Sequence, residues 1–223
     1  MTRLRDWPDW RYVLTEFDGI YRRGSAGGSA AIRSHQRQVR ERLSRVFQAN
    51  PEMLPTEPTA KPVVAHLGRA IDLAGTGPLA SMAKALDRID DQLSWAWGYD
   101  HLPKALAERY AYAELLGPRG PVIATDLILG LVLLAPSTVY PQHSHDGIEE
   151  SYVSLAGAWS ENDAAVYAPG SLILNRAGQQ HRLTVGDRAP CLLAYAWIAT
   201  PERLAKLDMH FAKSAPKPRA PHA

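Results

Sequence analysis

Between residues 29 and 50 the apolar positions Ile32, Val39, Leu43 and Val46 recur among arginines and glutamines at close to the helical period, which predicts an amphipathic helix. A proline-rich break from Pro51 to Pro62 follows. Further helices are predicted from Val63 to Ala74, ended by Gly75 and Gly77, from Leu79 to about Leu93, and from Pro103 to Leu116, closed by Gly117. Pro103 and Gly117 sit where a helix prefers to begin and end, and the Ala and Leu content of this half favours helix. After Pro118 the pattern changes. Short β-prone runs, Leu127 to Leu134, Ser151 to Leu155, Ala164 to Tyr167, Leu172 to Leu174 and Leu192 to Ile198, alternate with clusters of Gly, Pro, Asn and Asp. Many short strands at close spacing predict a sandwich or barrel.

The expected organisation is therefore a helical region over 1–117 packing on a barrel over 118–200, then a helix from Pro201 to about Phe211 and a frayed tail within 201–223. Gly24 to Gly28 reads as a flexible connector, and Asp87, Arg88, Asp90 and Asp91 as a solvated helix face. No internal repeat is visible.

Composition narrows the class without naming a chemistry. The chain has 223 residues, 46% hydrophobic and 22% charged, as in ordinary globular proteins. Its 25 basic and 23 acidic residues are spread through both halves, so no strong field favours nucleic acid or an anionic membrane. The single cysteine, Cys191, cannot form an internal disulfide and fits a reducing compartment, with cytoplasm as the expectation. No signal peptide is predicted, because Met1 to Asp6 is followed by Trp-Pro-Asp-Trp rather than an apolar core. The longest apolar stretch, Val122 to Pro136, is interrupted by Asp126 and too short to span a bilayer as a helix.

Chemistry is concentrated in Tyr140-Pro-Gln-His143-Ser-His145-Asp-Gly-Ile-Glu149-Glu150-Ser-Tyr152. Two histidines one residue apart project to the same face of a strand, and a carboxylate can return to that face after a turn. Two imidazoles and a carboxylate suit a divalent first-row metal. Glu149 and Glu150 are adjacent, and only one of them can face the pocket from a regular strand. A further ligand candidate, His181, closes Gly170-Ser-Leu-Ile-Leu-Asn-Arg176-Ala-Gly178-Gln-Gln-His181.

Together these segments match the two cupin motifs, with Ser137 at a position usually glycine and Arg176 at one usually proline. Both departures fall at turns and bear on loop shape rather than on the ligands. The motif's six-residue gap to Gly157 favours Glu150 over Glu149. The resemblance implies a mainly β fold, a double-stranded β-helix or jelly-roll barrel carrying a helical N-terminal extension. It implies one divalent ion (Fe, Mn, Zn or Co) on His143, His145, Glu150 and His181.

Tyr140 ahead of the histidine pair, Tyr152 two beyond Glu150 and Trp197 on a late strand narrow the likeness. Over Tyr140 to Trp197 the chain resembles the cupin-type dimethylsulfoniopropionate lyases, which split a small zwitterion into dimethyl sulfide and acrylate. That resemblance implies Tyr152 as the base removing the α-proton and Tyr140 as a residue that orients substrate or assists the transfer. Aromatic faces suit a sulfonium cation, and Trp197 is one candidate. Trp95, Trp97 and Tyr99 fall at strand spacing and form another such face, or else pack where the helical half meets the barrel. Other readings of the same ligands are an iron dioxygenase, a sugar isomerase, or a binding cupin without catalysis. Cupins often pair through barrel strands, so a homodimer is the assembly to test. Neither nucleic acid nor membrane is an expected partner.

Overall fold

The computed structural model describes residues 2–23, 28–54, 56–99 and 101–207. Helices α1 (Pro8–Arg23), α2 (Ala30–Ala49), α3 (Leu67–Gly75) and α4 (Ala80–Asp87) precede a short strand β1 (Trp95–Ala96) and a four-residue helix α5 (Lys104–Ala107). Strands β2 (Tyr110–Gly117), β3 (Val122–Ile123), β4 (Leu127–Leu134), β5 (Val139–His143), β6 (Glu149–Ala156) and β7 (Trp159–Glu161) follow. The described elements end with β8 (Val166–Tyr167), β9 (Leu172–Asn175), β10 (His181–Val185), β11 (Cys191–Ile198) and α6 (Pro201–Ala205). The larger sheet runs β1-β2-β4-β11-β6-β9, with β3 parallel to β2 at one end. The smaller runs β5-β10-β7-β8, and the two face each other as a double-stranded β-helix of the cupin type.

The larger sheet is buried on both faces, and this explains its composition. On one face Leu127, Leu129, Leu131 and Leu133 of β4 join Ala194 and Ala196 of β11 in a core shared with Val13, Leu14 and Phe17 of α1 and Val39 and Leu43 of α2. On the other, Ile128, Val132, Leu193, Tyr195 and Trp197 face the smaller sheet. A strand covered on both sides shows no apolar-polar alternation, so Leu127–Leu134 is a continuous apolar run.

The predicted helix over 29–50 is present as α2, capped by Ser29 Oγ accepting from the Ile32 amide at 3.3 Å and ended by Asn50 in the left-handed region at φ 45°. The predicted helices over 63–74 and 79–93 are each broken into an α-helix and a 3₁₀ turn, Pro62–His66 before α3 and Asp90–Gln92 after α4. The predicted helix from Pro103 to Leu116 is overturned. Only α5 is helical, and Tyr110–Gly117 pairs with β4 along its length. Ala111, Ala113 and Leu115 enter the helix-side core while Tyr110 faces the barrel interior, so the slot beside β4 overrides the helix propensity of Ala, Glu and Leu. The barrel strands thus begin ahead of residue 118.

Helix α1 lies where the pattern above predicts no element, yet Trp10, Val13, Leu14, Phe17, Ile20 and Tyr21 form its buried stripe. The helix expected from Pro201 to Phe211 is present as α6 over Pro201–Ala205; residues from 208 onward, the tail included, lie outside the described residues, as do 24–27 of the glycine connector. Among the described residues no helix is long and apolar enough to cross a membrane. Ser137, at the usual glycine position, adopts φ 59°, and Gly157 has φ 80° with the Pro190 carbonyl oxygen 2.4 Å from where a Cβ would stand.

Gly130 in β4 is required for a different reason. A Cβ there would lie 2.3 Å from the Ala113 carbonyl oxygen and 2.5 Å from the Tyr195 ring. Gly130→Ala is expected to destabilise the fold by about 2 kcal/mol, the ordinary cost of overpacking, and to displace Tyr195. Urea unfolding and tyrosine near-UV dichroism measure the two effects.

Candidate metal centre

Three barrel strands and one turn bring the histidines and the acid together. His143 ends β5 and His181 begins β10, and the two are directly opposite in register with ring centroids 4.0 Å apart. His145 follows in the turn after β5 rather than on the strand itself, and its ring centroid is 5.2 Å from that of His143. One ring nitrogen from each of the three lies within 4.8 Å of the others, and all three residues are buried. On β6, Glu150 turns inward and is 1% exposed, with its Oε2 3.0 Å from His181 Nε2 and 3.7 Å from His145 Nε2. Glu149, next along the strand, turns the other way and meets His35 of α2.

Hydrogen bonds behind the rings prepare the nitrogens in front. The Nδ1 of His143 donates to the Pro141 carbonyl at 2.8 Å and that of His181 to the Gln179 carbonyl at 3.0 Å, which leaves each Nε2 lone pair for the interior. The Trp197 indole N–H donates to Glu150 Oε1 at 2.6 Å, so the other oxygen, Oε2, points at the histidines. His143 Nε2, His145 Nε2, His181 Nε2 and Glu150 Oε2 are all buried without a hydrogen bond of good geometry, although Glu150 and His181 are in ion-pair contact. Four orphaned donor atoms of imidazole and carboxylate type converging on one place fit a divalent transition ion.

Burial by itself raises the Glu150 carboxyl, but the charges of His145, His181 and His143 outweigh it and hold the group well below the usual carboxylate range. His181 moves up despite its burial, because Glu150 both bonds and attracts it. His143 is pushed down to about 3 by burial and by repulsion from His181, and His145 is lowered mainly by burial.

Beside this group lies a cavity of about 230 Å³ whose wall includes His143, His145, Glu150, Tyr152 and Trp197. Tyr152 is 3% exposed, and burial, then the charge of Glu150, drive its phenol well above the ordinary tyrosine value. Tyr140 lines the cavity, with its hydroxyl 2.6 Å from that of Tyr99 and donating to that of Tyr110 at 3.3 Å. Trp97 stands at the mouth, 39% exposed, with the Lys61 ammonium 4.5 Å over its ring and its indole N–H on the Tyr110 carbonyl. Trp95 does not share this face. It pairs with Ala113 and is buried in the core between sheet and helices, because β1 ends at Ala96 and the strand alternation that would align Trp95 with Trp97 stops there.

Tyr110, Tyr112 and Tyr195 also line the cavity, and the sequence reading passed over them. Their signal was the alternation Tyr110-Ala-Tyr112 and Tyr195-Ala-Trp197, the first hidden by the helix assigned to that segment. Among the described residues His66 and His101 do not join the histidine group, and His210 is outside the described residues.

A family model described as dimethylsulfoniopropionate lyase matches residues 35–193. A Cereibacter sphaeroides protein provisionally named dimethylsulfoniopropionate lyase DddL is 61% identical over 202 residues, spanning 91% of this chain and 87% of that one. The crystal structure of the lyase DddQ from Ruegeria pomeroyi superposes with a TM-score of 0.65 at 23% identity, covering 86% of this chain and 92% of the other. A chain from the structures of the lyases RdDddP and RnDddQII gives 0.68 at 19% identity, covering 92% and 98%. At these identities the two structures establish the fold.

The shifts above set a pH profile for chelator-treated protein. His143 and His145 are lowered in the fold, so they oppose folding at acid pH and stability rises as pH climbs to about 6.5, the ordinary histidine value. His181 is raised, so its contribution is complete below that value and is lost as pH rises through its folded value. Thermal unfolding across pH 4–9 is expected to peak near neutrality, and His181→Gln is expected to remove the alkaline decline.

Proposed function

This chain belongs to the dimethylsulfoniopropionate lyase family, and on that premise we propose that it is a metal-dependent carbon–sulfur lyase releasing dimethyl sulfide and acrylate from dimethylsulfoniopropionate. The observation that carries the reading is the convergence of three imidazole nitrogens and the Glu150 carboxylate beside an aromatic cavity that His143, His145, Glu150 and Tyr152 line. A divalent ion (Fe, Mn, Zn or Co) on His143, His145, Glu150 and His181 would supply Lewis acidity toward the substrate carboxylate and positive charge near Tyr152.

The chain's own residues do the rest. Tyr152 is the base. Burial and Glu150 both oppose its phenolate, so it ionises only where positive charge offsets them, which ties proton abstraction to a loaded site. Tyr152 takes the α-proton; the electron pair left on the α-carbon forms the new carbon–carbon double bond as the β-carbon–sulfur bond breaks. Dimethyl sulfide leaves neutral, acrylate keeps the carboxylate, and the phenol returns its proton to solvent.

Trp197 lines the cavity and, by its indole bond, fixes the Glu150 carboxylate while its ring faces the interior. Together with Tyr140 and Tyr99 it offers π-faces to the sulfonium head, worth about 0.5–2 kcal/mol per contact. Trp97 contributes from the mouth with a ring already covered by Lys61. Tyr140, held by Tyr99 and Tyr110, orients the substrate. The lone Cys191 fits a reducing cytoplasm, and the partner in this reading is a small zwitterion.

Protein reconstituted with iron, manganese, cobalt or zinc is expected to release dimethyl sulfide, measured by headspace gas chromatography, at the same rate with and without oxygen. Tyr152→Phe is expected to lower kcat roughly 10²- to 10⁴-fold with KM little changed, as loss of a general base does. Absence of dimethyl sulfide with every one of these ions overturns the reading.

A further inference from the structure

The face of β6 that turns away from the cavity carries a second set of polar side chains, and the reaction above uses none of them. His35 of α2 is fully buried, with Nδ1 2.7 Å from Glu149 Oε1 and Nε2 2.8 Å from Ser151 Oγ. Ser151 Oγ is in turn 2.7 Å from the hydroxyl of Tyr21 on α1. Donor chemistry sets the direction of this chain. A carboxylate only accepts, so His35 Nδ1–H donates to Glu149. Burial favours the neutral imidazole, whose Nε2 then accepts from Ser151, and the Tyr21 O–H donates to Ser151.

Serine, histidine and acid in a row is also the order of a hydrolytic triad. Ser151 is 0% exposed, its hydroxyl is engaged on both sides, and the cavity lies on the opposite face of β6. A carbonyl substrate has no approach to it. What the chain does reach is the backbone on either side of Glu150, since Glu149 and Ser151 are its immediate neighbours.

Backbone pairing sets the register of this strand, and the side-chain bonds to the helical layer act on the same choice. Two adjacent glutamates stand at the ligand position, and a slip of one residue would exchange them and turn Tyr152 out of the cavity. The β6–β11 ladder keeps Glu149 to Ser154 in unbroken register with Ile198 to Leu193, and its irregularity between Leu192 and Leu193 lies beyond them, toward Ala156. Holding residues 149 and 151 on the helical side obliges 150 and 152 to face the interior.

We propose that His35 is a positioning residue of the metal centre: by binding Glu149 and Ser151 to the helical layer it selects Glu150 as the ligand and aims Tyr152 into the cavity. The proposal rests on the metal site described above. It is tested by cobalt(II) titration of the unaltered protein and of Glu149→Ala, Glu149→Gln and His35→Phe, read by visible absorption well below each unfolding midpoint. Glu149→Ala and His35→Phe are expected to lose roughly 10- to 100-fold in cobalt affinity, as loss of a residue supporting a ligand does, with an altered ligand-field spectrum. Glu149→Gln keeps an acceptor for His35 and is expected to retain most of the affinity. The Glu149 side chain is 30% exposed, so Glu149→Ala decides the matter even where His35→Phe fails to fold. Unchanged affinity and spectrum in Glu149→Ala overturn the positioning role alone. Failure of the unaltered chain to bind cobalt overturns it together with the metal site, and labelling of Ser151 by a fluorophosphonate would make it a nucleophile instead.

Discussion

The alternation of side chains from Glu149 to Leu155 of β6 is the constraint on which the rest of the molecule turns. One strand serves two environments, a helical layer on one side and a polar cavity on the other. Val153 and Leu155 enter the core shared with the helices while Glu150 and Tyr152 enter the barrel. Because the period is two, neither set can move without the other. The apolar core on one face therefore fixes the chemistry on the opposite face, and the pairing of Glu150 with Trp197 on β11 and with Asn175 on β9 locks the same choice from the sides.

Placing an acid and three imidazoles inside such a barrel carries an electrostatic cost. Desolvating an isolated charge is worth several kcal/mol even after relaxation. The barrel meets this by charge matching, with Glu150 held below the usual carboxylate range by the rings around it and His181 raised by Glu150 in return. A divalent ion held by these residues would supply positive charge beside Glu150, on lone pairs that the backbone carbonyls and the indole already align.

Much of this was legible in the sequence, because the chemistry is local. The histidine pair, Glu150 and the second histidine stand at motif spacing, and the alternation of 149 and 150 was a stated choice that the strand direction resolves. Helix α2 was readable from its caps and stripe. The failures share a cause in tertiary context. Residues 110–117 have the composition of a helix and become a strand because β4 offers an unpaired edge, and with that strand come Tyr110 and Tyr112. Trp95 leaves the aromatic face because β1 is only two residues long. His35 lacks any ligand spacing and gains its partners only when α2 packs on β6, 114 residues away along the chain.

The core that joins the leucines of β4 to Phe17 and Leu43 makes the helical layer part of the barrel wall. Elements that share one core tend to melt as a unit, so stability gained inside the barrel is shared by helices that do not line the cavity. Occupancy of the cavity would then be felt as protection of amide hydrogens in α1 and α2 against exchange, a mechanical report of ligand binding delivered to the far surface of the molecule.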